Sequence, residues 1–317
     1  MDQLVNLTYD QLSRFTDSFS ESKYIGHFQF GKFYRRKSFW PGGYRHFVVK
    51  IWETGYNILR LADEVILLRH EKMLSHPSMV PLYGFCADGE HLGVMYEFQA
   101  SDSVYNLIPK DSFTWLQRIK VALEIASLLK FLHTGHPQPF IVRNLDAAHI
   151  LLDENGYPRL CDLSMVTGGI LPDRTVHKNN HVHGSHSHID PYAGKKGKCS
   201  DKEDVFAYGV ILLGLITKRV YKEEDQQAQL PFVHEWAERE YNANESDSVT
   251  KTAQRSLVHE SLTNDPDFNS ADGAKITAMA MECINVCDYE RPTMKQVLRS
   301  LLTLPVVKQH APFLGVN

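Results

Sequence analysis

The sequence predicts an α+β protein of two lobes, a small β-rich lobe with one helix followed by a larger, mainly α-helical lobe. Three observations carry that expectation. Residues 24–52 alternate β-branched and aromatic side chains with polar ones, residues 57–75 switch to a helical period, and long apolar segments of 3.6-residue period fill most of the remaining chain.

Taken in order, residues 1–22 contain L-T-Y-D-Q-L-S-R-F-T-D-S-F-S, and Leu4, Leu7, Tyr9, Leu12 and Phe15 predict a short amphipathic helix packed on the adjoining domain. Pro41-Gly42-Gly43 interrupts the strand pattern, as a hairpin turn does. Over 57–75, Ile58, Leu61, Val65 and Leu68 share one helix face. After Pro77, V-P-L-Y-G-F-C and L-G-V-M-Y-E-F read as short strands. Farther on, Leu116, Ile119, Leu123 and Ala126 mark a long helix, 205–216 an almost wholly apolar and therefore buried one, and 271–287 and 292–304 two more. The expected organisation is a helical extension at 1–22, an N-terminal lobe at 23–98, a C-terminal lobe at 99–306 and a tail at 307–317, with a ligand cleft between the lobes. No internal repeat is present.

Composition excludes several functions. Of 317 residues 43% are hydrophobic and 23% charged, as in ordinary globular chains, and a net charge of -4 offers no basic face for nucleic acid or an anionic membrane. No run approaches the roughly 18 apolar residues of a membrane span. The start, M-D-Q-L-V-N-L-T-Y-D, lacks a signal peptide's basic and apolar regions, and Asp2 in place of Gly rules out N-myristoylation of the chain as given. A cytoplasmic protein is expected, recruited to the plasma membrane only through partners. Cys86, Cys161, Cys199, Cys283 and Cys287 form no C-x-x-C pair, which fits reduced thiols. Cys283 and Cys287 share a helix face, a spacing expected from packing rather than from metal or redox chemistry.

Seven motifs succeed one another in order: I-G-H-F-Q-F-G-K-F-Y (25–34), F-V-V-K ending at Lys50, A-D-E-V with Glu64, M-Y-E-F, C-D-L-S with Asp162, S-D-K-E-D-V-F-A-Y-G-V-I-L-L and R-P-T-M (291–294). Between them residues 141–152 read I-V-R-N-L-D-A-A-H-I-L-L. Over roughly 15–305 this series resembles the protein-kinase fold, and in detail the plant receptor-like cytoplasmic kinases. A lone G-x-x-x-x-G would say little, because turns use glycine constantly.

The resemblance implies a glycine-rich loop carrying Gly26 and Gly31, a phosphate-positioning Lys50–Glu64 pair and a magnesium ligand at Asp162. The competing reading makes these relic salt bridges that hold the small lobe's helix. Arg143 stands where kinases neutralise phosphate on the activation segment, or it pairs with a structural carboxylate. In I-D-P-Y-A, Tyr192 aligns with a glutamate that would pair with Arg291, so one ion pair is expected to be lost.

Departures at the catalytic loop point away from chemistry. Active kinases read H-R-D-L-K-x-x-N there; this chain has Val142, Asn144, Asp146 and His149 at the variable positions. An amide such as Asn144 takes up no proton near neutral pH and so cannot act as general base. Asp146 puts a carboxylate where a cation should face the γ-phosphate. His149 is a ligand better suited to zinc than to magnesium. Phe28 replaces a glycine whose backbone must approach the phosphates: turned away from the pocket it admits ATP, turned inward it plugs it. Leu163 and Ser164 replace the Phe and Gly of the metal-binding motif, keeping its packing and stiffening its turn.

Among plant kinases, the D-L-S and I-L-P-D-R segments, I-D-P-Y and the degenerate loop resemble the adaptor pseudokinases of the HopZ-activated-resistance receptor, a coiled-coil nucleotide-binding leucine-rich-repeat (NLR) protein. What this implies is a catalytically inactive adaptor in plant immunity. Its partners would be the NLR receptor and active receptor-like cytoplasmic kinases modified by bacterial effectors, with no cofactor required and at most weak ATP binding. Two alternatives stand beside it: a weakly active atypical serine/threonine kinase, and an ATP-binding sensor without turnover.

Residues 177–188, H-K-N-N-H-V-H-G-S-H-S-H, place His177, His181, His183, His186 and His188 in the segment that corresponds to the activation loop. Such density suits zinc or nickel, or a solvated loop that forms part of a partner surface; the latter is the expectation, because the segment lacks apolar periodicity.

Overall fold

The computed structural model describes residues 4–55, 57–134, 138–175, 184–193, 198–243 and 255–316. Two compact units divide the chain, one of residues 1–106 and 147–172, the other of 107–146 and 173–317. Each draws on two stretches of sequence, where a single boundary between residues 98 and 99 was expected.

In the first unit β1 (Val5–Leu7), β2 (Tyr24–Phe28), β3 (Gly31–Trp40), β4 (Gly43–Trp52), β5 (Leu82–Asp88) and β6 (His91–Tyr96) form one sheet in the order β1-β5-β6-β4-β3-β2. Its pairs are antiparallel except β1 with β5. The turn between β3 and β4 uses Gly42 and Gly43 at φ 108° and 131°, where a Cβ is disfavoured. A second sheet joins Ala100–Ser103, Ile150–Asp153 and Pro158–Leu160.

The N-terminal extension is a strand followed by a helix, not a helix throughout. Thr8 caps α1 (Tyr9–Phe15) through a reciprocal bond with Gln11, so the helix can start only at Tyr9. Upstream, Val5, Asn6 and Leu7 pair in parallel with Gly84, Phe85 and Cys86. Leu7 and Leu12 then share a core with Tyr34, Phe47, Val49, Ile51, Cys86 and Met95.

The helix expected over 57–75 breaks at His70, whose ψ of 124° is extended, giving α2 (Ile58–Arg69) and α3 (Glu71–Leu74). Ile58 is exposed, and the buried face of α2 runs through Leu61, Glu64, Leu67 and Leu68. The stripe shifts toward Glu64 because that carboxylate has a buried cation to meet.

The second unit is mainly helical. In Asp201–Thr217 every residue from Glu203 to Thr217 is buried, as its apolar sequence predicts, and Ser200 caps its start with Glu203. Ser270–Cys283 packs closely on it: a Cβ on Gly209 would stand 2.7 Å from Cys283 Cβ. Trp115–Thr134 packs against both Asp201–Thr217 and Met294–Leu302. Arg118, buried in that long helix, donates to the carbonyls of Phe113, Leu215, Ile108 and Lys110 at 2.8 to 3.0 Å. Burial lowers its pKa to about 10, which leaves it a cation at neutral pH.

Candidate functional site

Lys50 lies mid-sheet in the first unit, held by β4's register against Phe33 on one side and Val94 on the other. Its Nζ is 2.7 Å from Glu64 Oε2 and 2.5 Å from Asp162 Oδ1, and all three side chains are fully buried. One ammonium thus serves two carboxylates, and the two are not equivalent. Burial pushes Glu64 up, only partly offset by Lys50, and the charge of Asp162 adds to the rise. Burial acts on Asp162 too, but Lys50, His149 and a hydrogen bond from Ser164 outweigh it and hold that carboxyl below its ordinary value. The same buried setting thus moves the two carboxyls in opposite directions, Glu64 up and Asp162 down. The Tyr96 hydroxyl, 2.5 Å from Glu64 Oε1 and 2.7 Å from the Cys161 carbonyl, and the Leu163 N–H at 3.3 Å complete the clasp.

Phe28 turns inward. Only 2% exposed, its ring packs on Phe33 and Trp52 at 5.2 and 5.4 Å and on the His149 ring at 6.5 Å. Lys50 Nζ lies 4.8 Å from the Phe28 centroid and 4.2 Å from that of Trp52. The lysine is therefore enclosed by two carboxylates and two aromatic faces. The flanking glycines serve different ends: a Cβ on Gly31 would fall 1.9 Å from the Ile51 carbonyl oxygen, whereas one on Gly26 would make an ordinary contact 3.6 Å from Ser103 Oγ. Close strand pairing explains Gly31; nothing in the structure requires glycine at 26.

The other degenerate positions belong to the second unit. Asp204 accepts from the Val142 and Arg143 N–H groups, both at 2.8 Å, and meets His133 Nε2 at 2.9 Å. This carboxylate holds Arg143 in a left-handed conformation, φ 71°, that costs a non-glycine residue about 1–2 kcal/mol. The Arg143 guanidinium donates to the Arg174 carbonyl at 3.2 Å. Asn144 is buried. Asp146 accepts a hydrogen bond from Ser185 Oγ and faces His188 Nδ1 at 3.2 Å, so it is engaged by the segment just after Gly184. His186 is exposed, with its ring edge-on to Phe232 at 5.2 Å. His177, His181 and His183 lie outside the described residues.

Residues 19–301 match the family described as protein tyrosine and serine/threonine kinase. The chain belongs to that family. Its curated relatives include a probable LRR receptor-like serine/threonine-protein kinase of Arabidopsis thaliana, 28% identical over 302 residues, which are 93% of this chain and 32% of that protein. Probable serine/threonine-protein kinase PBL11 of the same plant is 31% identical over 241 residues, 74% of this chain and 59% of PBL11. The chain spans about a third or less of the receptor-like relatives. Among solved structures, the pseudokinase domain of BIR2, described as an immune regulator of the RLK/Pelle family, covers 99% of this chain and 92% of its own at a TM-score of 0.65 and 22% identity. The expected kinase-like α+β fold, with a β-sheet N-lobe and a helical C-lobe, is what the chain adopts.

Members of this family work on a magnesium nucleotide, and the residues here do not fit one as they stand. Asp162 is committed to Lys50, its other oxygen lies 3.8 Å from His149 Nδ1, and the imidazole replaces the oxygen ligand that magnesium prefers. Phe28 stands beside the lysine that phosphates would have to reach. Among the described residues, no group of three or more His, Cys, Asp or Glu side chains is arranged to hold a metal.

One expectation for the kinase scaffold is corrected. Arg291 has not lost its ion pair: Nη1 meets Asp190 Oδ2 at 2.8 Å, both side chains fully buried. Asp190 precedes Tyr192 by two residues and accepts its N–H at 2.9 Å, a turn that leaves the second oxygen for Arg291. Sequence reasoning also missed Tyr96, His133 and Asp204. For Asp204 a signal existed, since it is the third acidic residue inside S-D-K-E-D, at the start of a helix that is apolar from Val205 onward in most positions. Tyr96 and His133 carry no comparable mark.

Proposed function

We propose that this chain is a catalytically inactive pseudokinase working as an adaptor in plant immunity, between an NLR receptor and active receptor-like cytoplasmic kinases modified by bacterial effectors. The observation that carries the first half is the Phe28 ring over Lys50. With the lysine walled in, Asn144 unable to accept a proton and Asp146 negative where a cation belongs, neither phosphate positioning nor base catalysis is supplied. The chain then needs no cofactor, and ATP binds weakly at most. The adaptor half rests on the resemblance of the D-L-S, I-L-P-D-R and I-D-P-Y segments to that pseudokinase group. A cytoplasmic location, with recruitment to the plasma membrane through partners, belongs to the same proposal.

Reconstitution tests it. The purified chain is mixed with an NLR repeat domain and with a cytoplasmic kinase in unmodified and effector-modified forms, and complexes are followed by size exclusion. The expected result is a complex with the receptor that recruits the modified kinase only, unchanged by Asp162→Asn. Absence of any receptor complex, or equal recruitment of both kinase forms, contradicts the adaptor role.

The intact Lys50–Glu64–Asp162 set favours a second reading, a weakly active serine/threonine kinase. Phosphoryl transfer depends mostly on positioning and charge, so loss of the base alone need not abolish it. The inward Phe28 and the carboxylate of Asp146 weigh against it.

A further inference from the structure

The first unit carries a groove of about 280 Å³ lined by Lys23, Arg35, Arg36, Lys37 and His46, with no carboxylate in its lining among the described residues. In a chain of net charge -4 that is a local concentration of positive charge. The two arginines are placed by neutral groups and have no acidic partner among the described residues. Arg36 lies over the Phe15 ring at 4.7 Å and donates to the Phe15 carbonyl at 3.4 Å and to Ser38 Oγ at 3.1 Å. Arg35 donates to the Ser101 carbonyl at 2.9 Å. The Nε of each is buried without a hydrogen-bond partner. Lys37 is exposed and rests on the Tyr44 ring, and Lys23 makes a loose contact with the exposed Asp17 at 3.4 Å.

Beside the groove the sheet edge is open. β2 pairs with β3 only as far as Tyr24 opposite Tyr34, while β3 continues to Trp40 with β4 alone beside it. An unpaired edge is a template for an extended chain, and preorganised guanidinium groups suit a phosphate, which offers nearly two negative charges and three acceptor oxygens. A lipid headgroup would use the charge but not the strand edge.

We propose that this groove binds a phosphorylated serine or threonine on an extended segment of a partner protein, the phosphate at Arg35 and Lys37, which share one face of β3, and the segment along the open edge of β3. None of the groove's lining residues belongs to the set around Lys50, so the proposal stands whether or not the chain transfers phosphate.

The test is fluorescence anisotropy of the full chain with a peptide library holding one fixed phosphothreonine in degenerate flanks, and with its unphosphorylated twin. The phosphorylated library is expected to bind at least tenfold more tightly. Lys37→Glu, at an exposed position that leaves the core intact, is expected to remove that difference, as is Arg35→Gln. Hydrogen exchange on residues 35–40 should slow when the phosphorylated library is added. Equal binding of the twins, or undiminished binding by Lys37→Glu, overturns the proposal. So does binding to vesicles containing phosphatidylinositol phosphate in the absence of peptide binding, which would assign the groove to a membrane. Competition by inorganic phosphate at the same concentration as the peptide would reduce the groove to a simple anion site.

Discussion

The Phe28 ring centroid stands 4.8 Å from Lys50 Nζ. A desolvated ammonium against an aromatic face gains about 2 kcal/mol, and Trp52 offers a second face at 4.2 Å. The lysine that would handle phosphate in an active kinase is here an internal group of the small lobe, with rings and carboxylates as its surroundings.

That placement makes Lys50 matter to stability. Lys50→Met leaves Glu64 and Asp162 buried together without their cation and is expected to cost about 3–5 kcal/mol. Glu64→Gln, which replaces the carboxyl already pushed toward its neutral form, should cost about 1 kcal/mol. Thermal unfolding of the two variants separates them; equal losses would mean that the two carboxylates share the charge evenly.

The two glycines of the 25–34 loop should behave oppositely. Gly31→Ala drives a methyl into the Ile51 carbonyl and is expected to destabilise by roughly 3 kcal/mol or more, whereas Gly26→Ala should change stability by less than about 1 kcal/mol. A large loss at Gly26 in denaturant unfolding would mean that the loop's conformation, not strand contact, selects glycine there.

Asp146 anchors the segment after Gly184 through Ser185 and His188. Restoring the family's residue with Asp146→Lys removes both contacts. Amide hydrogen exchange across residues 184–190 should then speed up by roughly tenfold, the loss of about 1.4 kcal/mol of local stability. Unchanged protection would mean that the Arg291–Asp190 pair alone holds the segment.

Glu203 supplies a pH dependence. Burial raises its pKa to about 8, with Asp204 and Asp190 adding to the rise and the Ser200 N–H and Arg143 opposing it. Because the folded form binds this proton more tightly, its contribution to stability is complete below the unfolded value of 4.5 and is lost as pH rises through about 8. Glu203→Gln keeps the capping acceptor and removes the titration. The melting temperature of the variant relative to the native chain should climb between pH 5 and 8; parallel curves would contradict the assignment.

The fold was legible because periodicity marks buried faces: the apolar run at 205–216 and the turn at Gly42-Gly43 stand where the pattern puts them. Capping and pairing decided what periodicity could not. Thr8 delays α1 until Tyr9, and Leu7 thereby becomes a strand residue. At the site the identities of Lys50, Glu64 and Asp162 were legible, but the direction of the Phe28 ring depends on Phe33 and Trp52 across the sheet. The partner of Arg291 was misread because Asp190 reaches it by a local turn that residue-for-residue alignment does not register.

Phosphate transfer from labelled ATP, with magnesium or manganese, to the chain itself and to a generic substrate tests the central claim most directly, with Asp162→Asn as the reference. No incorporation above the variant is the predicted result. Transfer that disappears in the variant would contradict the account and make this chain an atypical kinase.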